Sequence, residues 1–124
     1  MKLVAILIVV FFIGCKTCEK NIRHELTNKW NYDSSKKEYV SDMKFLTQLD
    51  STYKECLYTK DTTYISKLFG THYSLGKKGD KFMMQFTLVN FSQTEYGVLD
   101  FLLSDKYKVE AIYFVGITGG GSVY

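Results

Sequence analysis

The strongest constraint on the fold of this chain is a change of hydrophobic period near Gly70. Before that glycine, apolar residues recur every three or four positions, which is the pattern of amphipathic helices. After it, apolar and polar residues alternate, which is the pattern of strands with one buried face. This segregation predicts an α+β domain in which helices cover one face of an antiparallel sheet.

Two helices are predicted before the change of period. The tetrapeptide at 35–38, Ser-Lys-Lys-Glu, has the form of a capping box, which satisfies free backbone N–H groups at a helix start. A helix over 36–58 is therefore expected, and a second one from the N-cap Asp61 to the stop at Gly70. The apolar stripe of the first helix is typical of a core-facing surface and consists of Tyr39, Met43, Leu46, Leu49, Tyr53, Cys56 and Leu57.

The alternating part predicts a three- to four-stranded antiparallel meander with both helices packed on one of its faces. The expected strands are Thr71–Leu75, Lys81–Asn90, Tyr96–Ser104 and Lys108–Val115. The face turned away from the helices is the more polar one, so we expect a partner to bind there. Its members include Gln85, Thr87, Asp100, Lys108 and Glu110.

An unbroken apolar run from Leu3 to Ile13 follows Met1 and Lys2. As a helix this run would span about 17 Å at 1.5 Å per residue, which is too short for a hydrocarbon core of about 30 Å. That length suits the apolar region of a secretory signal peptide, which is predicted over 1–14. The alternative interpretations are a strand or helix of the core and a retained membrane anchor.

Residues 12–15, Phe-Ile-Gly-Cys, bear on how such a signal is cleaved. Ordinary cleavage prefers small residues at the last and third-last positions, and a signal ending at Gly14 would place Phe12 at the third-last one. The four residues instead resemble the bacterial lipobox, with Phe12 in place of the usual Leu. The resemblance implies that Cys15 is lipidated, with acyl chains such as palmitate, and that two or more chains hold the exported protein on an envelope membrane.

The predicted organisation is thus a single domain behind a lipid anchor. Residues 1–14 are the signal peptide, 15–34 the lipidated Cys and a polar tether, 35–116 the α+β domain and 117–124 a flexible tail.

Lipidation of Cys15 would leave Cys18 and Cys56 in an oxidising compartment, where a disulfide between them is possible. Such a bridge would contribute about 3–4 kcal/mol in the chain-entropy model. The alternative is two free thiols, with Cys56 simply buried on its helix. A redox or zinc interpretation of the C-x-x-C spacing at 15–18 lacks the strand–helix context and the second ligand pair that it needs.

Composition narrows the class of partner. Arg23 is the single arginine among 16 Lys and Arg residues, and arginine carries most bidentate base recognition, so no nucleic-acid partner is expected. Interface energy concentrates in aromatic and cationic anchors, which makes Trp30, Tyr32 and Tyr113 the candidate partner-binding residues. Packing in the core is the alternative role for each of them.

No catalytic residue, metal site, cofactor or small-molecule substrate is predicted. His24-Glu25 begins like H-E-x-x-H, but Asn28 stands where the second histidine is required. His72 lies between a helix stop and a glycine turn, and the carboxylates Asp100 and Glu110 are expected to face solvent. The chain is therefore expected not to be an enzyme.

A lipidated Cys15, a polar tether, the segment Asp61–Gly70 and strands with Leu99–Leu103 and Val109–Ile112 together resemble small outer-membrane lipoproteins of the SmpA/OmlA type. The similarity extends over 58–115, although the proline that usually follows the glycine of that family is absent. It implies a non-enzymatic accessory lipoprotein. We expect a binding or scaffold module of the cell envelope whose partner is another envelope protein. The alternative is an inhibitor or immunity-type protein that blocks a secreted enzyme or toxin.

Overall fold

A computed structural model describes residues 17–89 and 95–118, which form four helices and a six-stranded mixed sheet. The helices are α1 (17–29), α2 (Met43–Thr47), α3 (Leu49–Leu57) and α4 (Thr62–Phe69). The strands are β1 (Trp30–Asp33), β2 (Glu38–Ser41), β3 (Ser74–Lys78), β4 (Lys81–Val89), β5 (Glu95–Leu103) and β6 (Val109–Thr118).

The main path of the sheet runs in the order β1-β2-β4-β5-β6, and β3 pairs with the first half of β4. β2 lies on the same edge of β4 further along, where it pairs in parallel with Leu88 and Val89. The other pairs are antiparallel, and β3 to β6 form a meander. The α+β class is therefore confirmed, but the predicted numbers of helices and strands are too small.

The predicted helix over 36–58 begins too early. Oδ1 of Asp33 accepts hydrogen bonds from the backbone N–H groups of Ser35 (3.0 Å) and Lys36 (3.3 Å). A local side-chain turn of this kind competes with a helix start. The segment therefore turns a hairpin between β1 and β2, and helix α2 begins only after Asp42, whose side chain caps its first turn.

The remainder of that predicted helix is divided in two. Gln48 separates α2 from α3, and Tyr53 departs from helical geometry within α3, with φ −119° and ψ 19°. The apolar stripe nevertheless packs as predicted, because Leu46, Leu49 and Leu57 are all buried. The core-facing side of this region is thus correct, while its continuity is not.

The predicted polar tether is also wrong over its described part. Residues 17–29 form α1, and Trp30 begins β1 directly afterwards. Cys18, Ile22 and Leu26 recur at intervals of four and face the core, where Ile22 and Leu26 are buried. This spacing is the signal of an amphipathic helix with a narrow apolar stripe.

Helix α4 agrees with its prediction at both ends. Oδ1 of Asp61 accepts a hydrogen bond from the backbone N–H of Tyr64 at 2.9 Å and so caps the first turn. The helix ends at Gly70, whose φ of 105° is unfavourable for residues with a Cβ. A Cβ at this position would also collide with the hydroxyl of Tyr39. Glycine is therefore required here twice over.

The core lies between the helices and one face of the sheet. Phe86, on the central strand β4, has ring contacts with Trp30, Tyr39, Phe69, Tyr73 and Phe101. These rings meet at centroid distances of 5.5 to 6.0 Å, mostly edge-on or tilted, which is the preferred packing of aromatic side chains.

Candidate functional site

We call the sheet surface turned away from the helices the outer face. The alternation of side chains along the meander identifies its residues. On β5, for example, Leu99, Phe101 and Leu103 enter the core, while the residues between them point to the outer face. Paired residues on neighbouring strands share a face. The outer face therefore consists of Ser74, Gly76, Lys78, Lys81, Met83, Gln85, Thr87, Val98, Asp100, Leu102, Ala111, Tyr113 and Val115.

Asp100 lies in the middle of the outer face and is only 8% exposed. Its Cα is paired with Gln85 on one side and with Tyr113 on the other. The Gln85 side chain donates a hydrogen bond to the carboxylate, but Oδ1 is buried and receives no hydrogen bond from the described residues. A buried acceptor without a donor is uncommon in folded proteins, because its desolvation is not repaid.

The electrostatics of Asp100 follow from that position. Burial raises the pKa of its carboxyl above the ordinary value, and the hydrogen bond from Gln85 and the charge of Lys78 oppose the rise. The Lys78 ammonium lies 5.2 Å from the ring centroid of Tyr113, which places a cation and an aromatic ring beside the carboxylate. Tyr113 is itself 45% exposed.

Glu110 forms an ion pair with Lys81 across the same face. This contact raises the pKa of the Lys81 ammonium through the hydrogen bond with Glu110. Asp100 is paired with Tyr113, and Glu110 lies three residues earlier, at the bulge of β6 between Val109 and Ala111. The two carboxylates are therefore not opposite each other on the paired strands.

This arrangement provides the parts of a binding surface. Asp100 offers a directed and unused acceptor, Tyr113 offers an exposed aromatic ring, and partly buried apolar side chains surround them. The binding of a partner at the outer face stays a prediction, and Asp100 and Tyr113 lie in the middle of that face. The neighbouring residues Met83, Val98, Leu102, Ala111 and Val115 are all intermediate in burial.

Of the three predicted partner-binding aromatics, Trp30 takes the alternative role and packs in the core. Its side chain is 8% exposed, and its indole N–H donates to the carbonyl of Phe69 at 2.7 Å. Tyr32 packs edge-on against Tyr39 and stacks on His72, so its ring already has contacts within the domain. Tyr113 alone lies on the outer face.

Of the three cysteines with a predicted role, the structure describes Cys18 and Cys56. Cys15 lies outside the described residues, as do the predicted signal peptide and most of the tail. Cys18 at the start of α1 and Cys56 in α3 are joined by a disulfide, with their Cα atoms 5.8 Å apart. The bridge connects two helices on the side of the sheet opposite the outer face.

The histidines are separate from one another and from Asp100. His24 has a contact of 3.3 Å with the Asn28 amide along α1, and the His72 ring stacks on Tyr32 at 3.8 Å. Within 17–89 and 95–118, no cluster of three or more His, Cys, Asp or Glu side chains could hold a metal ion. No helix of that same part is long and apolar enough to cross a bilayer.

A second concave surface lies on the helix side of the sheet. A groove of about 410 Å³ is bordered by Thr62, Leu75, Phe82, Leu103 and Tyr107. Leu75 is 61% and Tyr107 51% exposed, which sequence patterns did not reveal because alternation assigns Leu75 to the buried side. Its polar lining residues are Thr62 and Lys77, and the Lys77 ammonium lies over the Phe82 ring at 5.1 Å, whereas the outer face has a buried acceptor without a donor and is therefore the more specific candidate.

Comparisons with protein-family models, with curated proteins and with solved structures find no match to this chain. The resemblance to SmpA/OmlA-type lipoproteins therefore stays a prediction, and the site must be interpreted from its own chemistry.

Proposed function

We propose that this chain is a membrane-anchored bacterial lipoprotein whose domain is a non-catalytic binding module of the cell envelope. The observation that carries the binding role is the buried Asp100 carboxylate, whose Oδ1 receives no hydrogen bond from the described residues and lies beside the exposed Tyr113. The lipid anchor rests on the apolar run before residue 15 and on the lipobox-like Phe-Ile-Gly-Cys sequence at 12–15.

The energetics of Asp100 favour a partner that supplies a hydrogen-bond donor. Leaving a buried acceptor unsatisfied costs about 1–3 kcal/mol. A complex in which the side chains covering Oδ1 move aside and a partner donates to it removes that cost, and an arginine or lysine donor also neutralises the charge. Tyr113 adds the rigid aromatic anchor that protein interfaces favour. The partner is accordingly an envelope protein that presents a cationic side chain surrounded by apolar ones.

The experiment is photo-cross-linking in intact cells. A photoreactive amino acid replaces Tyr113 on the outer face or, as the matched control, the exposed Lys67 on helix α4. We expect a discrete adduct from position 113 and not from position 67. We also expect Asp100→Asn to reduce that adduct about tenfold, since one charge-assisted contact is worth about 1.5–3 kcal/mol. An adduct that forms equally from both positions, or that ignores Asp100→Asn, contradicts the proposed surface.

The anchor is tested separately by metabolic labelling with a fatty acid. We expect the wild-type chain to incorporate the label and Cys15→Ser to lack it and to leave the membrane fraction. Equal labelling of both proteins would contradict lipidation at Cys15. If the cross-linked partner is a secreted enzyme or toxin that loses activity on binding, the inhibitor or immunity-type function replaces the scaffold function.

A further inference from the structure

The disulfide and helix α1 place the proposed lipid close to the folded domain. The described part of α1 is helical from residue 17 onward, and its Cys18 is bonded to Cys56 of α3. The proposed acyl-bearing residue, Cys15, is only three positions before Cys18. The region that pattern analysis assigns to a tether is thus almost entirely part of the domain.

The covalent chain limits how far the domain can stand from the membrane. Three successive Cα–Cα steps connect Cys15 with Cys18, and in any conformation they span at most about 11 Å. A flexible tether over 15–34 would instead have a root-mean-square length of about 25 Å. The disulfide keeps the distance between the lipid and the domain short. Without it, the helical residues next to Cys18 could fray and lengthen the spacer.

On the basis of the proposed lipidation, we propose that the domain lies directly against the bilayer, with the first described residues of α1 and residues 51–56 of α3 facing the headgroups. The partner of this surface is a phospholipid membrane containing anionic lipid. A cleft at this place is lined by Cys18, Asn21 and residues 51–55. Lys20 and Lys54 are exposed at or beside it together with one acidic residue, Glu55, whereas Glu19 is already paired with Arg23 at 2.8 Å. The two lysines outnumber Glu55, and such an excess of cations favours anionic headgroups.

The same geometry turns the outer face away from the membrane. Asp100 and Tyr113 alternate with core residues that contact the helices, so they lie on the side of the sheet opposite the disulfide. A domain of about 100 residues has a radius of gyration of about 13 Å, which keeps the outer face within about 45 Å of the bilayer. The partner proposed above therefore contacts the domain within about 45 Å of the bilayer.

The test uses the full lipidated chain in vesicles of phosphatidylethanolamine with a minority of phosphatidylglycerol, in which some headgroups carry a nitroxide quencher. A fluorescent amino acid is placed at position 20 in α1 or at position 113 on the outer face. We expect loss of most of the fluorescence at position 20 and little loss at position 113. Equal quenching, or stronger quenching at position 113, would overturn the inference.

One variant and one labelling measurement control this experiment. A flexible insertion of about twenty residues between Lys16 and Thr17 should make the two positions nearly equal, because it restores the reach of a free tether. If the contrast persists with the insertion, the short spacer is not its cause and the inference fails. Fatty-acid labelling distinguishes this failure from that of the proposed function: an unlabelled protein refutes the anchor, whereas a labelled protein without the contrast refutes only the orientation.

Discussion

The two faces of strand β5 differ in how they become inaccessible to water. Leu99 and Phe101 are fully buried among apolar side chains of the helices and the neighbouring strands. Asp100, between them, is 8% exposed, although it points to the side without those helices. Its cover comes from the side chains of its own sheet, such as Gln85 and Lys78.

This contrast distinguishes two kinds of burial. One stabilises the fold, and the other leaves a polar group that a partner can satisfy. On the helix side, packing removes apolar surface from water and contributes about 25 cal/mol for each Å². On the outer face, the same loss of water leaves a carboxylate oxygen without a donor and so costs stability. Sites that bind partners commonly carry such a cost, since it is recovered only in the complex.

The largest effect on stability is expected from a comparison of two adjacent residues of β4, one on each face of the sheet. Phe86→Ala removes the ring that joins five aromatic neighbours, so we expect a loss of about 3–5 kcal/mol in the free energy of unfolding. Thr87→Ala, on the outer face, should stay within about 0.5 kcal/mol. Chemical denaturation measures both values. Similar losses for the two variants would mean that the assignment of the two faces is wrong.

The next test removes the disulfide on the helix side by replacing Cys18 and Cys56 with alanine. The bridge spans a separation of 38 residues, so the chain-entropy model gives about 4 kcal/mol and measured bridges usually give 2–4 kcal/mol. We expect a loss in that range by denaturation under oxidising conditions. Addition of a reductant should lower the wild-type stability to that of the double variant and leave the variant unchanged; a response of the variant would contradict the assignment.

A smaller effect of opposite sign is expected at Asp100. Since the folded pKa of its carboxyl is raised above the ordinary 3.8, the folded state binds more protons and wild-type stability falls as pH rises through that window. Asp100→Asn should therefore be more stable by about 1 kcal/mol at pH 7 and equal below pH 3.8. Thermal unfolding across pH measures the difference. A variant that is less stable at pH 7 would show that the carboxylate is already satisfied.

The smallest effect is expected from the Lys81–Glu110 ion pair on the outer face. Both side chains remain partly solvent-accessible, and ion pairs of this kind contribute little because water and salt screen them. Glu110→Gln should leave the midpoint of thermal unfolding indistinguishable from the wild type at physiological salt. A clear drop that disappears at high salt would instead show that this ion pair stabilises the fold. Lys81 and Glu110 would then belong to the candidate site around Asp100.

The accuracy of prediction varied along the chain for identifiable reasons. The meander and α4 were predictable because their periods are regular and Asp61 and Gly70 mark the helix ends by local chemistry. The β1–β2 hairpin was not, since the capping-box pattern at 35–38 also fits a turn, and the acceptor that decided the outcome was Asp33 just before it. Polar residues around Ile22 and Leu26 concealed the narrow stripe of α1.

The candidate site was predictable only in outline. Alternation along β4 and β5 assigned Asp100 to the polar face, but it could not show that the carboxylate is buried or that Oδ1 has no donor. The two alternative roles of Trp30 could not be distinguished, because an isolated tryptophan in a polar segment has the same appearance whether it docks on a partner or inside its own domain. Its hydrogen bond to Phe69 crosses 39 residues.

By itself, the sequence determined the α+β class, the buried sides of β4 and β5 and the two ends of α4. These features depend on side-chain period and on capping within a few residues, which are local properties of the chain. The tertiary structure alone decided the parallel docking of β2 on β4, the bond between Cys18 and Cys56, and the position of Asp100 between Gln85 and Tyr113. Each of these depends on the relative placement of distant segments, which is governed by the packing of the whole core rather than by any local pattern.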